Sequence, residues 1–267
     1  MLWAGPLSFA VAALLQTESP PPEVPATGSD EIVVTGLRDI DDEDSAVTRR
    51  TLSSGRTGTG ATASRKVFAH SQFFARCAMR RSPENLRMLR ATLDGRINSA
   101  PQAYAQTRLA QLSASCLLDP QGETGTKSNV YDARYYDRGA LFLETLRTFA
   151  PGLSLTRAQT NDPEVQARFN SREVPLARFR RPVDRRYFEA AVCFVRMEPT
   201  LAVRLMREER AESINRLEAA MVNRARRCVG NAKRVYFDAT QLRFYIADAL
   251  YRWIVAAGGV SSLIPEE

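Results

Sequence analysis

Beyond residue 63 the apolar positions recur with the period of an α-helix. Ala105, Leu109, Leu112 and Cys116 share one face, and Ile214, Leu217, Met221 and Cys228 share another, spaced three, four and seven apart. The pattern predicts a first helix over residues 64–81 and a counterpart over 184–197. Each is followed by a helix opened by proline, Pro83 and Pro199, at a position where a missing N–H costs no hydrogen bond. Ser82 is a good N-cap for the former and Glu198 a poorer one for the latter. Asp94-Gly95 is expected to close the Pro83 helix, with the glycine turning left-handed. A last helix in each half begins at Asp132 or Asp238. It buries Leu143, Leu146 and Phe149 in one case, and Leu242, Ile246, Leu250 and Trp253 in the other. Residues 151–183 read as a connector with a short helix from Asp162, followed by Pro163, to about Arg172. Strand-forming runs are nearly absent after residue 60, so the body is predicted to be all-α.

The chain also repeats itself. Cys77-Ala-Met-Arg80-Arg-Ser-Pro83 and Cys193-Phe-Val-Arg196-Met-Glu-Pro199 share the frame Cys-x-x-Arg-x-x-Pro, and the same register aligns Leu89 with Leu205. A second cysteine follows in each half, Cys116 and Cys228. Beyond it comes an aromatic-Asp-Ala triplet, Tyr131-Asp132-Ala133 and Phe237-Asp238-Ala239. Landmarks met twice in one order imply a duplicated unit. The expected architecture is two tandem four-helix units, 64–150 and 184–258, with a short tail at 259–267.

What precedes them is different in kind. Residues 1–16 are apolar from Leu2 to Leu15 apart from Ser8, too short for a bilayer span of about 20 residues, and read as a signal peptide. Residues 17–63 are rich in proline, then acid, then glycine, and are predicted to be disordered. Nothing else is long and apolar enough to span, so no membrane span is expected in the mature chain. Charge divides at the same place. Residues 1–61 carry four basic and nine acidic side chains, net −5, and the remainder 33 and 21, net +12. A basic body suits an acidic envelope component as partner, or nucleic acid in another compartment. Its alternative is a solvated arginine-rich helical surface.

Four cysteines in an exported chain suggest two disulfides, and four allow three pairings. The repeat selects Cys77–Cys116 and Cys193–Cys228, each clamping the first helix of a unit to the third. A loop of about 40 residues closed in this way is worth roughly 4 kcal/mol. Four buried thiols acting as small hydrophobes are the alternative.

Candidate chemistry is sparse. One histidine, His70, limits nucleophile–base arrangements, and its aligned position in the second half is Arg186. With the cysteines widely spaced, no metal set is expected. Gly58-Thr-Gly60-Ala-Thr-Ala63 fits a dinucleotide fingerprint in letters, but no strand precedes it and no βαβ alternation follows, so no cofactor is expected. Asp39-Ile-Asp41-Asp-Glu43-Asp44 lacks the glycine and terminal glutamate of a calcium loop. Adjacent Glu208 and Glu209 diverge on a helix and read as solvated surface. No catalytic residue is assigned.

One stretch of the leader stands out: Glu31-Ile32-Val33-Val34-Thr35-Gly36, a strand-like run with no sheet of its own. It resembles the TonB box of bacterial TonB-dependent outer-membrane receptors over about six residues. More loosely, the chain is similar to a group of uncharacterised secreted helical proteins of Gram-negative bacteria that carry such a segment. The resemblance implies a periplasmic or secreted location and a partner with an exposed sheet edge, to which Glu31–Gly36 would add as a strand. The expected function is non-catalytic binding or scaffolding in the cell envelope. The alternatives are an envelope enzyme whose site forms only in three dimensions and, outside the envelope, a basic nucleic-acid-binding protein.

Overall fold

Helix starts are written locally, and the structure follows them. The computed structural model describes residues 69, 71–79, 82–113, 134–230 and 239–266. A first helix, α1, covers 71–78. Next come α2 (Pro83–Leu93), α3 (Ala100–Leu112) and α4 (Arg134–Phe149), then α5 (Arg157–Asn161) and α6 (Pro163–Ala177). They are followed by α7 (Pro182–Met197), α8 (Pro199–Arg207), α9 (Ala211–Arg224), a 3-10 turn (Arg226–Val229) and α10 (Ala239–Gly258). No strand occurs among the described residues. Proline opens α2, α6, α7 and α8. Ser82 accepts a hydrogen bond from Asn85 N at 3.2 Å and Asp162 accepts one from Glu164 N at 2.8 Å, quenching free N–H groups. Glu198 makes no such bond to α8, in keeping with its expected weakness as a cap.

Two local expectations are corrected. The Pro83 helix does end at Leu93, but Gly95 is not left-handed; Asn98 takes the positive φ of 58°. Gly95 is required for another reason, since a Cβ there would sit 2.2 Å from the Ala91 carbonyl oxygen. The connector is also more than a connector. Helix α6 runs five residues past the expected end, to Ala177. It buries Val165 and Phe169, the latter stacked on Trp253 with ring centroids 4.2 Å apart. Stacking of this kind adds to the area term of burial.

The core is organised by α10. This 20-residue helix is buried along nearly its whole length and packs most extensively against α4 and α7, then against α6 and α8. Helices α2 and α3 form a pair that joins through α4. One contiguous apolar cluster runs from Phe74 to Ile264 and draws on both halves of the chain. Each fully buried Leu, Phe or Met in it contributes about 1.5–3 kcal/mol. No described helix is long and apolar enough to cross a membrane.

The α4–α10 contact is close because Gly139 faces Phe244. A Cβ at Gly139 would lie 2.3 Å from Phe244 Cβ and 2.4 Å from its Cγ. Gly139→Ala is therefore expected to lower stability by about 1–3 kcal/mol through overpacking, despite alanine's higher helix propensity. Urea unfolding followed by circular dichroism measures it; an unchanged midpoint would show that the two helices can part without cost.

Candidate functional site

The most concentrated chemistry lies inside the body, on one face of α10. Tyr245, Asp248 and Arg252 are spaced three and four apart, which aligns them along that face. Arg252 Nε donates to Asp248 Oδ1 at 2.6 Å and Nη1 donates to Glu173 Oε2 of α6 at 2.7 Å. Its Nη2 reaches the Leu93 carbonyl oxygen at the end of α2, at 3.4 Å. The other Asp248 oxygen accepts from Arg180 Nη2 at 2.5 Å. Arg180 reaches both Asp184 oxygens at 3.3 Å, and the Tyr245 hydroxyl donates to Asp184 Oδ1 at 2.9 Å. The Arg252 and Arg180 side chains are 1% and 2% exposed. Arg180 also lies over the Phe188 ring, 3.6 Å from its centroid, a cation–π contact sharpened by desolvation.

Burial alone would push the Asp248 carboxyl upward. Arg252, Arg180 and Arg138 overcome it and hold the group at about 2. Burial works against the Arg252 guanidinium as well, and Asp248 and Glu173 more than offset it, so its pKa is raised. Asp248, Arg180 and Arg252 are thus each held in the charged form. Beside it, Arg138, Gly139, Phe142, Phe244, Tyr245 and Asp248 line a cavity of about 10 Å³, room for roughly one water molecule.

Asp137, one residue earlier on α4, behaves in the opposite way. Burial raises its carboxyl to about 7, and a hydrogen bond from Ser71 lowers it only in part. Its Oδ1 has no hydrogen-bond partner. A buried acid poised near neutrality can take up or release a proton under physiological conditions. A third cluster serves α8. Arg243 Nη2 donates to the Leu205 carbonyl at 3.1 Å and to that of Glu208, and Arg147 Nε donates to Met206 O at 3.0 Å. Together they satisfy the free carbonyls of a helix C-terminus. Burial and the neighbouring Arg147 lower the Arg243 pKa to about 10.

Of the cysteines, Cys193 on α7 and Cys228 on the 3-10 turn form a disulfide, with Cα atoms 5.5 Å apart. The loop it closes spans 35 residues and is worth roughly 4 kcal/mol in the chain-entropy picture. Cys77 lies in the last turn of α1, half-buried; Cys116 is outside the described residues, as are His70 and the whole segment Glu31–Gly36. Reasoning from apolar periodicity missed the α10 charges, since it attends only to Leu242, Ile246, Leu250 and Trp253. The signal was an Asp–Arg pair four apart within Ile246–Val255. Arg180 belongs to the basic run Arg178-Phe179-Arg180-Arg181, where burial of one arginine has no local signature. No known family model, curated protein or solved structure matches the chain.

Removing the central carboxylate should be severe. Asp248→Asn leaves Arg180 and Arg252 buried with one acid fewer and is expected to cost about 3–5 kcal/mol in urea unfolding near neutral pH. Because its folded pKa is depressed, the contribution of Asp248 is complete above the unfolded carboxylate value near 4 and disappears as pH falls toward 2. Loss of stability over that acid window should be shallower in the variant. The raised pKa of Asp137 gives the reverse dependence: its own contribution is most favourable below about pH 4, falls as pH rises toward 7, and levels off beyond. Asp137→Asn is expected to flatten that fall, melting higher than the native protein at about pH 8 and equally at about pH 4. Parallel melting curves for the two proteins would contradict it.

Proposed function

We infer that this is a non-catalytic binding or scaffolding protein of the cell envelope. Its body would be two related, disulfide-clamped helical units, and Glu31–Gly36 would be its docking segment. The observation that carries the reading is the use of ionisable groups in the body. Glu173, Arg180, Asp184, Asp248 and Arg252 are paired with one another in the interior, where they join three helices, α6, α7 and α10. Groups committed in this way hold a shape, which is what a platform for other molecules needs.

The Cys193–Cys228 bridge favours an oxidising compartment. A Cys77–Cys116 bridge completes the pattern the repeat implies. The helix order supports that repeat: cysteine-bearing α1 and α7 are each followed by a helix opened by proline, α2 and α8, then by α3 and α9, and last by α4 and α10. Two kinds of partner follow. One is a periplasmic protein whose exposed sheet edge accepts Glu31–Gly36 as an added strand, through backbone hydrogen bonds and alternating side chains. The other is an acidic envelope component facing the basic body.

The docking segment is tested with the full chain, titrated into the isotope-labelled periplasmic domain of TonB and followed by nuclear magnetic resonance. The native protein is expected to shift resonances along one edge strand. Val33→Pro, which removes an N–H and restricts the backbone, should abolish those shifts. Absence of any shift with native protein overturns strand addition. A peptide map made without reduction should show 77–116 and 193–228 linked; four free thiols would remove the case for export.

A further inference from the structure

The end of α7 gathers an unusual density of guanidinium groups. Arg157 Nε and Nη2 donate to the Met197 carbonyl at 3.0 and 2.6 Å, and Nη2 also meets Glu198 Oε1 at 2.7 Å. Arg224, at the end of α9, approaches the other Glu198 oxygen at 3.7 Å. Arg227 on the 3-10 turn donates to Met197 Sδ. The Cys193–Cys228 bridge holds that turn, with Arg226 and Arg227, against the last turns of α7, which carry Arg196. Arg157 and Arg224 thus meet the Glu198 carboxylate, and Arg196, Arg226 and Arg227 lie on the segments that the bridge joins.

Arg157 and Arg224 share Glu198. Arg196, Arg226 and Arg227 are exposed and have no carboxylate partner among the described residues. That surplus contrasts with the buried group around Asp248, where Arg180 and Arg252 each meet carboxylates. The exposed large apolar side chains among the described residues are Phe73, Tyr104, Val174 and Val260, and none belongs to this face. A surface without such anchors is poorly suited to insert into lipid or to stack unpaired bases. Guanidinium forks spaced over two helix ends and a turn do suit carboxylates, each able to take two parallel hydrogen bonds.

We propose that this disulfide-held arginine face, centred on Arg196, Arg226 and Arg227, binds an acidic polysaccharide of the uronate type. The inference deepens the binding-protein reading by giving the acidic partner a site and a chemistry. It is independent of strand addition, because it concerns α7, α9 and the 3-10 turn and leaves residues 31–36 aside.

The experiment titrates the oxidised full-length protein with fluorescently labelled polygalacturonate, with neutral dextran as control. Two triple variants are compared, both checked by circular dichroism: R196A/R226A/R227A, and R76A/R87A/R186A, which removes the same charge from exposed positions elsewhere. Native protein should bind the polyuronate and not dextran, and more weakly as salt rises from about 50 to 200 mM. The first variant should lose about tenfold or more in affinity and the second less than about threefold. Equal losses in the two variants would reduce the effect to net charge and overturn the site. Failure of native protein to bind the polyuronate overturns the inference, while strand addition is judged by its own titration. Tighter binding to phosphatidylglycerol vesicles or single-stranded DNA, lost in the first variant alone, would assign the face to that partner and overturn the glycan.

Discussion

Asp248 sits between two arginines that come from opposite directions, and most of the helix arrangement can be traced outward from it. Arg252, one turn along α10, continues to Glu173 on α6 and to the last carbonyl of α2. Arg180 continues to Asp184 in the first turn of α7. A buried ion pair is weak evidence for net stability, since desolvation offsets much of the attraction. Its stronger effect is on alternatives. Apolar helix faces tolerate several registers, because Leu and Phe can repack. Turning α10 by one residue would carry Asp248 and Arg252 together about 100° away from Arg180 and Glu173 and separate buried charges from their partners across helices. The charge group therefore selects one seating of α10 among those its apolar surface would allow, and α10 in turn positions α4, α6, α7 and α8.

The same economy appears in how arginine is used elsewhere. Thirty-four arginines against three lysines could be no more than compositional bias. In the structure many of them cap carbonyls. Arg157 takes Met197 O, Arg168 takes Ala256 O at 2.8 Å, Arg207 takes Leu153 O at 2.5 Å, and Arg147 and Arg243 share the end of α8. Arg172 joins Asp94 to the tail through the Ser261 carbonyl at 2.8 Å. A guanidinium with five donors in a plane can satisfy two carbonyls or a carbonyl and a carboxylate together, which an ammonium on a flexible stem does less well. Many arginines of the body thus tie helix ends together, Arg157 and Arg168 from partly exposed positions. Arg226 and Arg196 cap no carbonyl and meet no carboxylate among the described residues, and Arg226 stands beside Arg227 on the turn that the disulfide holds.

What could be read from the sequence was what is decided locally. Pro83, Pro163 and Pro199 announce helix starts, Asp162 announces a cap, and the apolar face of α10 follows from spacing alone; on α9 Met221 is buried, Ile214 and Leu217 are half-buried, and Cys228 falls beyond the helix on the 3-10 turn. Cys193 and Cys228 were one of several pairings open to four cysteines, and they are bonded. What could not be read was decided at long range. Arg180 and Asp248 are 68 residues apart, and nothing near either one says that it is buried. Helix α6 looked like a short connecting helix because Phe169 finds its partner, Trp253, far down the chain. Gly95 was assigned a turn role that Asn98 performs, since a close approach to Ala91 O leaves no trace in sequence. The arginine face escaped because Arg224, Arg226 and Arg227 were counted as net charge, whereas their significance depends on which acids come near them in space.

Asp137 and Asp248 make the point about context in one comparison. Both are carboxylates buried in the same body, yet one is held at about 7 and the other at about 2. Burial pushes both upward, so the difference lies in company: three arginines for Asp248, a serine hydroxyl for Asp137. Helix α4 arranges that company itself. Successive helical residues point about 100° apart, so Asp137 turns toward Ser71 on α1 while Arg138 turns toward Asp248 on α10. In the seam between α4 and α10 the Asp248 carboxyl is therefore held at about 2, with Arg138 among the groups that keep it there. Among the described residues, Asp137 on the α4–α1 seam is the carboxylate held near neutrality, while the Asp248 carboxyl of α10 is held at about 2.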